Sequence, residues 1–453
     1  MLIGAHVSRS RVVGLASILL VTAIVVLLPT LAETAASGSR PTAHTTTKPI
    51  ATKSAQTTQR RPTTPPIGTQ LEELRGSNTV SGDSLVAGSL SGWLAVRAAS
   101  SHSVNPATGS STSTTTRGTG GSRLPAGGRL SKVSCRSAAF CLAIGSYGEA
   151  DSGSRPLVLL VDHTDISVMS VPSPSQWFGA ALDGISCPSP GFCVAVGDLF
   201  QRGDSASRPF AETLRAGSWT IDSLPNTGDT SSLASISCVS QSFCVAVGTR
   251  DQGNTTMIET LDNDRWTVAS GVDFAGPKPS LTAVACTSSS FCLAAGWYTN
   301  NAGNIAESWN GRIWTRSIPP GAGSTLAYID DVSCFAPRSC VAVGDFPNAE
   351  RYIDGFWSAL PSKTADYLSG VSCSGPSFCM TTGAHGVQPQ AVAGQFRNGT
   401  WHLAQIPSDG ELIGGTSVSC SSLTQCLVIG DGHAGAIPLV DIFNGTMWSV
   451  LSG

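Results

Sequence analysis

One short pattern of cysteines occurs seven times between Val133 and Gly430. Each copy reads a β-branched residue, Ser or Ala, Cys, five residues, Cys, three residues and Gly. The copies use all 14 cysteines, paired by spacing as Cys135 and Cys141, Cys187 and Cys193, Cys238 and Cys244, Cys286 and Cys292, Cys334 and Cys340, Cys373 and Cys379, and Cys420 and Cys426. A pattern that returns about every fifty residues indicates a repeated supersecondary unit. Because seven is a common blade count, the repeat predicts an all-β fold, a seven-bladed β-propeller.

Aligned on its cysteines, each repeat predicts a blade of four short antiparallel strands. The first strand ends at the first Cys, and the second begins at or just before the second Cys and ends at the recurring Gly, as in Phe192 to Gly197. A third strand follows a variable loop, and the fourth opens with Trp, as at Trp219. Short runs bounded by Ser, Pro and Gly, without helical periodicity, favour strands over helices. Since the chain starts with a first strand and ends with a fourth, the ring can close without exchanging strands.

We expect each cysteine pair to form one disulfide inside its own blade. Two cysteines at the ends of a five-residue turn face each other on antiparallel strands, where Cα atoms lie about 4.5 to 5.5 Å apart. An even cysteine count in an exported chain also favours complete pairing. Zinc sites use closer Cys pairs with His partners, and haem attachment needs C-x-x-C-H, but neither pattern occurs here. The sequence therefore predicts no metal site and no cofactor.

The first 34 residues predict export. Arg9 and Arg11 precede an uncharged run from Val12 to Ala32, and small residues near its end fit a cleavage site. The apolar run is also long enough to span a bilayer if it is not cut. Residues 1–34 are therefore interpreted as either a signal peptide or an N-terminal transmembrane anchor. Both alternatives place the repeats outside the cytoplasm, in the extracellular space or at the cell surface.

Composition divides the rest of the chain into a stalk and the repeats. Residues 35–127 are rich in Ser, Thr, Pro and Gly and predict a disordered stalk, with a short apolar island at 84–98 whose role is left open. Residues 128–453 suffice for seven blades of roughly 40 to 50 residues. Charged residues are 13% of the chain and the net charge is −3, so no surface for nucleic acid is predicted. We expect a monomer that contacts membrane only through its N-terminal segment.

Tryptophan recurs at one position of six repeats, usually after a turn that contains Gly. The six are Trp219, Trp266, Trp314, Trp357, Trp401 and Trp448. An Asn-Gly pair such as Asn310 and Gly311 is a strong hairpin signal. This region resembles the Asp-box (BNR) repeat of sialidase-like propellers, S-x-D-x-G-x-x-W, although only its Gly and Trp match. The resemblance implies propeller architecture over residues 128–453 and no sialidase activity. The chain also resembles secreted bacterial proteins of unassigned function with SC-x5-C-x-A-x-G repeats, which implies fold and location only.

Residues that recur in most blades are expected to serve the blade. Acidic residues lie seven positions before the Trp in five repeats, as Glu212, Glu259, Glu307, Glu350 and Asp441. We expect them to accept hydrogen bonds from backbone N–H groups or to pair with a neighbouring blade. The tryptophans are expected to pack between strands, with one or two exposed as sugar platforms as the alternative.

The loops that follow each recurring Gly differ between blades and hold the candidate functional residues. The candidate binding residues are Tyr147, Trp297, Tyr298, Phe346, His385 and His433, and the candidate catalytic carboxylates are Asp198, Asp345 and Asp431. Aromatic rings beside carboxylates suit a carbohydrate or peptide. We therefore predict a non-enzymatic propeller that binds glycan or an extracellular protein at the cell surface. A secreted glycosidase-like enzyme with carboxylates in the central pocket is the alternative. A solvated rim, with Asp residues as turn formers, is the third interpretation.

Overall fold

A computed structural model describes residues 124–451 apart from 126, 149–152, 203–205, 229, 275–277, 300–302, 321–326, 346–348, 361–366, 386–389, 398, 407–411 and 433–437. These residues form seven four-stranded antiparallel sheets, each made of four consecutive strands paired in chain order. The predicted N-terminal segment, and the stalk with its apolar island up to residue 123, lie outside the described residues. Within the described part of the chain, no helix is long and apolar enough to cross a bilayer.

The strands follow the predicted order, but their ends differ from the prediction. The first strands continue past the first Cys, and every second strand except β18 continues past the recurring Gly, because pairing with the neighbouring strand persists there. Blades one to three comprise β1 (Arg129–Ser137), β2 (Phe140–Tyr147), β3 (Arg155–Asp162) and β4 (Asp165–Val168); β5 (Gly179–Ser189), β6 (Phe192–Phe200), β7 (Ser207–Arg215) and β8 (Ser218–Ile221); β9 (Ser232–Ser240), β10 (Phe243–Arg250), β11 (Thr255–Asp262) and β12 (Arg265–Val268). Blades four and five comprise β13 (Pro279–Ser288), β14 (Phe291–Tyr298), β15 (Asn304–Trp309) and β16 (Trp314–Ser317); β17 (Ile329–Ala336), β18 (Ser339–Gly344), β19 (Ala349–Ile353) and β20 (Phe356–Ala359). Blades six and seven comprise β21 (Tyr367–Gly375), β22 (Phe378–His385), β23 (Gln390–Arg397) and β24 (Thr400–Gln405); β25 (Leu412–Ser422), β26 (Gln425–Gly432), β27 (Pro438–Phe443) and β28 (Trp448–Leu451).

Burial decreases from the second strand of each blade to the fourth. The first strands of neighbouring blades contact one another around the central axis. In blade two, every residue of β6 from Phe192 to Gly197 is buried, whereas β8 buries only Trp219. Both faces of a second strand pack against other residues, so its sequence is a continuous apolar run rather than an alternating one.

Apolar packing between blades closes the ring. Buried apolar side chains of the described residues form seven clusters, one between each two neighbouring blades. The cluster between the last blade and the first contains Leu130 and Leu159 of blade one with Ile429 and Val440 of blade seven. Every sheet keeps its own four strands. The ring therefore closes without strand exchange, as the order of strands predicted.

Each blade contains the predicted disulfide, which joins the ends of its first turn. The Cα atoms of the bonded cysteines are 3.9 to 4.1 Å apart, slightly closer than the expected spacing. No cysteine is left free. The bridges therefore clamp turns within blades, and their number suits an oxidising compartment.

The recurring Gly of each repeat lies opposite a β-bulge in the first strand. In blade two the bulge falls at Asp183, where the pairing of β5 with β6 shifts register. A Cβ atom on Gly197 would lie 2.0 Å from the carbonyl oxygen of Ala181. The same contact would be 1.8 to 2.0 Å long at Gly145, Gly248, Gly296, Gly344 and Gly383. The Gly is therefore required because the bulged strand approaches too closely for any side chain.

The Ser that precedes the first Cys of the repeat links neighbouring blades. The Oγ of Ser186 accepts a hydrogen bond from the Cys238 N–H at 2.9 Å. The same bond, 2.9 to 3.1 Å long, runs from Cys135 to Ser419, Cys187 to Ser134, Cys286 to Ser237, Cys373 to Ser333 and Cys420 to Ser372. Blade four has Ala285 at this position, so it offers no hydroxyl to Cys334 of blade five.

We expect Ala285→Ser to complete this ring of hydrogen bonds. The new hydroxyl can accept from the Cys334 N–H, which should raise the free energy of unfolding by about 1 kcal/mol. The reverse change, Ser186→Ala, should lower it by a similar amount. Urea unfolding measures both variants, and an Ala285→Ser protein less stable than the parent would contradict the role given to the recurring Ser.

The recurring tryptophans pack between blades. Trp219, Trp266 and Trp314 are each 7% exposed. The Nε1 of Trp266 donates to Asp222 Oδ2 at 2.8 Å, across to the preceding blade. These contacts agree with the packing interpretation and not with exposed sugar platforms at these three positions.

The recurring acidic residues are buried at the same interfaces. Glu350 Oε1 accepts a hydrogen bond from Asn304 of the preceding blade at 3.3 Å. Glu307 Oε2 accepts one from the backbone N–H of Val272 at 2.8 Å. Both carboxylate oxygens of Glu212 are buried without a hydrogen-bond partner in the described part of the chain. The expected partners are thus present for Glu307 and Glu350. Among the described residues they are absent for Glu212 and Glu259, whose buried carboxyl groups lose their hydration without a hydrogen bond in return.

We expect the propeller to lose stability as the pH rises. Burial raises the pKa of Glu212 and Glu350 to about 8, with the charge of Asp222 contributing at Glu212, and it raises the pKa of Glu259 and Glu307 to about 7. A carboxyl group whose pKa is higher in the folded protein than in the unfolded chain stabilises the fold. This stabilisation is complete when the pH is below the pKa in the unfolded chain. This stabilisation is lost as the pH rises through the folded pKa.

Urea unfolding between about pH 4.5 and pH 8 measures this loss. Each group contributes a slope of up to about 1.4 kcal/mol per pH unit. Glu212→Gln removes one titrating group and should make the decline shallower. A free energy of unfolding that rises steadily over this range would contradict the prediction.

Candidate functional site

The loops that differ between blades emerge at one end of the propeller, which we call the loop face. Because the strands alternate in direction, the loops between second and third strands and the linkers between blades lie at this end. The disulfide-bonded turns and the turns between third and fourth strands lie at the opposite end. The predicted residues Tyr147, Asp198, Trp297 and Asp345 all follow a recurring Gly and therefore belong to the loop face.

A partly buried ion pair crosses the central axis beneath the loop face. Lys132 Nζ of blade one lies 2.7 Å from Asp331 Oδ1 of blade five. These blades are not neighbours in the ring, so the side chains meet across the axis. Asp331 Oδ2 also accepts a hydrogen bond from the Val371 N–H of blade six at 3.0 Å. The side chain of Asp331 is 6% exposed and that of Lys132 is 23% exposed. This pair bridges the centre of the propeller.

Aromatic rings and carboxylates of blades four to six lie between this ion pair and the loop face. We call Trp297, Tyr328, Asp330, Asp345 and Tyr367 the axial cluster. The rings of Trp297 and Tyr328 meet edge to face with centroids 5.0 Å apart. Tyr367 donates a hydrogen bond to Asp330. Burial raises the pKa of Asp330 to about 7, and the nearby charge of Asp345 adds to this rise. Asp345 lies at the rim with part of its surface exposed, and the partial burial of its carboxyl group raises its pKa.

Asp198 belongs to a separate acidic pair in blade two. Its Oδ1 accepts a hydrogen bond from the Leu233 N–H of blade three at 3.3 Å. Burial, and then the negative charge of Asp183, raise the pKa of Asp198 well above its usual range. The Asp198 side chain therefore links two blades as well as bordering the loop face. Among the described residues, no group of three or more His, Cys, Asp or Glu side chains is arranged to hold a metal ion.

Two adjoining clefts, the loop-face clefts, open at blades one and two. The larger has a volume of about 570 Å³ and lies between the linker Ser173 to Trp177, the start of β7, and the linker Leu224 to Gly228. The smaller has a volume of about 360 Å³ and is lined by Tyr147, Arg155 and the end of blade one. Ser173 borders both, so the two clefts are neighbours on the loop face. Volumes of this size match the usual range for small-ligand sites.

The larger cleft combines an apolar floor with polar walls. Leu199 and Phe210 are buried beneath it. The guanidinium carbon of Arg208 lies 5.7 Å from the ring centroid of Trp177 at its edge. Among the described lining residues of both clefts, the one carboxylate is Asp222. Its Oδ2 already accepts hydrogen bonds from a threonine and from Trp266, both at 2.8 Å.

The predicted site residues fall into separate places. Tyr147 lines the smaller cleft, and Trp297 and Asp345 belong to the axial cluster. Tyr298 is 6% exposed and belongs to a buried apolar cluster between blades three and four, so we leave it out of the site. His385 is exposed at the end of β22. Phe346, His433 and the side chain of Asp431 lie outside the described residues.

The sequence analysis named no candidate residue in the linkers between blades. Trp177 of the larger cleft lies in such a linker, and Arg208 lies near the start of β7. The available signal was a tryptophan outside the repeated Trp position, at residue 177. Tyr328 and Tyr367 were also missed. Each lies immediately before an apolar residue, Ile329 or Leu368, near the start of the first strand of its blade. Aromatic residues that break the repeat are therefore the better guide to the site.

The sequence matches no protein-family model and no curated protein. Similar folds occur among solved structures. YCF48 from Cyanidioschyzon merolae is 14% identical with a TM-score of 0.43, covering 62% of this chain and 86% of its own. The Aleuria aurantia lectin AAL in complex with Fucalpha1-6GlcNAc is 9% identical with a TM-score of 0.40, covering 71% and 94%. The Niastella koreensis GH74 enzyme is 13% identical with a TM-score of 0.45, covering 72% and 54%. These likenesses concern the fold alone.

Proposed function

We propose that this protein is a non-enzymatic binding module that takes a glycan or protein ligand on its loop face. The loop-face clefts carry this proposal, because they combine ligand-sized volume with half-buried aromatic residues and with polar groups. Trp177 and Tyr147 supply apolar area, while Arg208 and Arg155 supply hydrogen-bond donors. The only lining carboxylate, Asp222, is held by hydrogen bonds, so the described walls offer no acid and base pair for hydrolysis.

The setting of the module is part of the proposal. Seven disulfides suit an oxidising compartment. We infer that the protein is an exported monomer. Residues 1–34 direct its export, and the Ser/Thr/Pro/Gly-rich segment 35–127 presents the propeller at the cell surface.

A binding array of glycans and extracellular peptides, run with the full chain, tests the proposal. We expect Trp177→Ala and Tyr147→Ala to weaken binding of any ligand found by at least about tenfold. Phe356→Ala is the matched control, since Phe356 is 80% exposed and begins β20 at the opposite face. Thermal unfolding of each variant separates lost binding from lost folding. Full binding by both cleft variants would overturn the assignment to these clefts.

A glycan-active enzyme is the second candidate, and the axial cluster favours it. Asp330 and Asp345 are close enough for one charge to raise the pKa of the other, and paired carboxyl groups with different pKa values are what glycosidases use. Hydrolysis assays on the array ligands test this candidate with Asp330→Asn, Asp345→Asn and Asp198→Asn. Turnover that Asp345→Asn abolishes would favour the enzyme over the binding module.

A further inference from the structure

The carboxyl group of Asp330 in the axial cluster has one oxygen without a partner. Asp330 occupies the bulge of β17, where pairing with β18 shifts register, and a bulge re-aims the side chain that it carries. Tyr367 donates a hydrogen bond to this carboxyl group. The Oδ2 atom is buried and accepts no hydrogen bond from the described residues. Because a buried acceptor without a donor is costly, this oxygen suits a ligand that brings an N–H group.

The carboxylates of the axial cluster are not neutralised by the nearest cation. Lys132 is already paired with Asp331, at 2.7 Å. The negative charge of Asp345 at the rim acts on Asp330. Among the described residues, no Lys, Arg or His side chain forms an ion pair with either of these two carboxyl groups. A cation that enters the cluster therefore meets two carboxylates without an ionic partner.

Three aromatic residues complete the axial cluster. The rings of Trp297 and Tyr328 meet edge to face, and Tyr367 is 42% exposed. The Asp345 N–H donates to the carbonyl oxygen of Tyr328 at 3.1 Å, which holds the rim carboxylate beside this linker. Ring faces attract ammonium and guanidinium groups. The indole N–H of Trp297 is buried without an acceptor in the described part of the chain, so it can donate to a carbonyl oxygen of a ligand.

We propose that the axial cluster binds a basic residue, a lysine or an arginine, of a peptide or protein ligand. The ammonium or guanidinium group donates to Asp330 Oδ2, and a backbone carbonyl group of the same ligand can accept from Trp297. A bare metal ion fits less well, because the described residues offer no group of three or more acidic, His or Cys side chains arranged to hold one. The inference extends the proposed function, since it adds a second site on the loop face, in other blades than the loop-face clefts.

Calorimetric titration of the full chain with blocked tripeptides tests the inference. The probes are Gly-Lys-Gly and Gly-Arg-Gly peptides, with norleucine as the uncharged analogue, trimethyl-lysine as a cation without N–H donors, and putrescine as a free amine. We expect a basic peptide to bind with a Kd below about 1 mM, at least about tenfold more tightly than the norleucine peptide. Trimethyl-lysine should bind at least about threefold more weakly than lysine, because it cannot donate to Asp330.

The affinity for the lysine peptide should rise with pH. Burial raises the pKa of Asp330 to about 7; the charges of Asp345 and Asp331 add to this rise, and Tyr367 and Lys132 oppose it. Below this pKa a proton competes with the ligand, whereas lysine keeps its charge up to a pKa of about 10.4. Binding should therefore be about five- to tenfold tighter at pH 7.5 than at pH 6. Constant or falling affinity over this range would contradict the role given to Asp330.

Variants locate the binding. Asp330→Asn should weaken binding of the lysine peptide at least about tenfold and remove its pH dependence. Asp251→Asn is the matched control, because Asp251 is an exposed aspartate in the loop between β10 and β11, on the same face. Thermal unfolding of both variants separates lost binding from lost folding. Equal effects of the two variants would indicate general attraction of cations to the loop face and overturn the inference.

The remaining outcomes separate the inference from the proposed function. Binding of the norleucine peptide as tight as that of the lysine peptide would overturn the ionic contact. Tighter binding of putrescine than of either basic peptide would overturn the peptide source. Absence of binding to both basic peptides overturns the inference. None of these outcomes concerns the loop-face clefts, so the proposed function fails separately if array ligands bind Trp177→Ala as well as the parent.

Discussion

Gly197→Ala is expected to lower the free energy of unfolding by more than about 4 kcal/mol, or to prevent folding. The added Cβ would lie 2.0 Å from the carbonyl oxygen of Ala181, which belongs to the backbone of the first strand. That strand contacts the first strands of both neighbouring blades, so it has no room to retreat. The bulge at Asp183 would have to rearrange to admit one methyl group.

Gly191→Ala is the matched control in the same blade. A Cβ at Gly191 meets nothing within 4 Å, so the variant should change the free energy of unfolding by no more than about 0.5 kcal/mol. Urea unfolding, or soluble yield where Gly197→Ala does not fold, measures the difference. Similar stability of the two variants would contradict the role assigned to the recurring Gly.

Asp331→Ala should lower the free energy of unfolding by about 3 kcal/mol. The change leaves the ammonium group of Lys132 without its partner across the axis and removes the acceptor of the Val371 N–H. The cost of an unpaired buried charge exceeds the value of the pair itself. Because Lys132 keeps some contact with solvent, we place the effect at the lower end of the usual range.

Asp354→Ala provides the control for this ion pair. Asp354 and Arg338 are 70% and 58% exposed, with 3.7 Å between the nearest charged atoms, so their separation should cost well under about 1 kcal/mol. Equilibrium unfolding of both variants gives the comparison. If Asp331→Ala lowered the free energy of unfolding as little as Asp354→Ala does, the ion pair would not form across the axis in solution. The alternative of an enzyme with carboxylates in the central pocket would then regain support.

The fold could be predicted because the cysteine and glycine pattern of one blade occurs seven times in the sequence. The spacing of Cys187, Cys193 and Gly197 predicts a turn and the strand that follows it in each copy, although not where that strand ends. What could not be predicted is why the pattern has its form. The clash that demands Gly197 depends on a bulge in another strand, and the value of Ser186 depends on the Cys238 N–H of the next blade. Such reasons appear only when the blades are placed side by side.

The site was predicted less completely than the fold. Tyr147 was found because loops after the recurring Gly lie at the loop face. Trp177 was missed because linkers between blades have no fixed pattern to depart from, and Arg208 was missed because it lies near the start of β7, after a variable loop. The pair of Lys132 and Asp331 joins residues 199 positions apart in the chain, and sequence periodicity carries no information on contacts across the axis.

Ligand binding by Trp177→Ala and Phe356→Ala, measured beside their thermal unfolding, tests most directly the claim that recurring residues build the blades while non-recurring loop residues bind. Both variants should keep the parent's cooperative unfolding, since neither residue belongs to the repeated pattern. Binding should fall at least about tenfold in Trp177→Ala and stay unchanged in Phe356→Ala. Undiminished binding by a folded Trp177→Ala protein would contradict the claim.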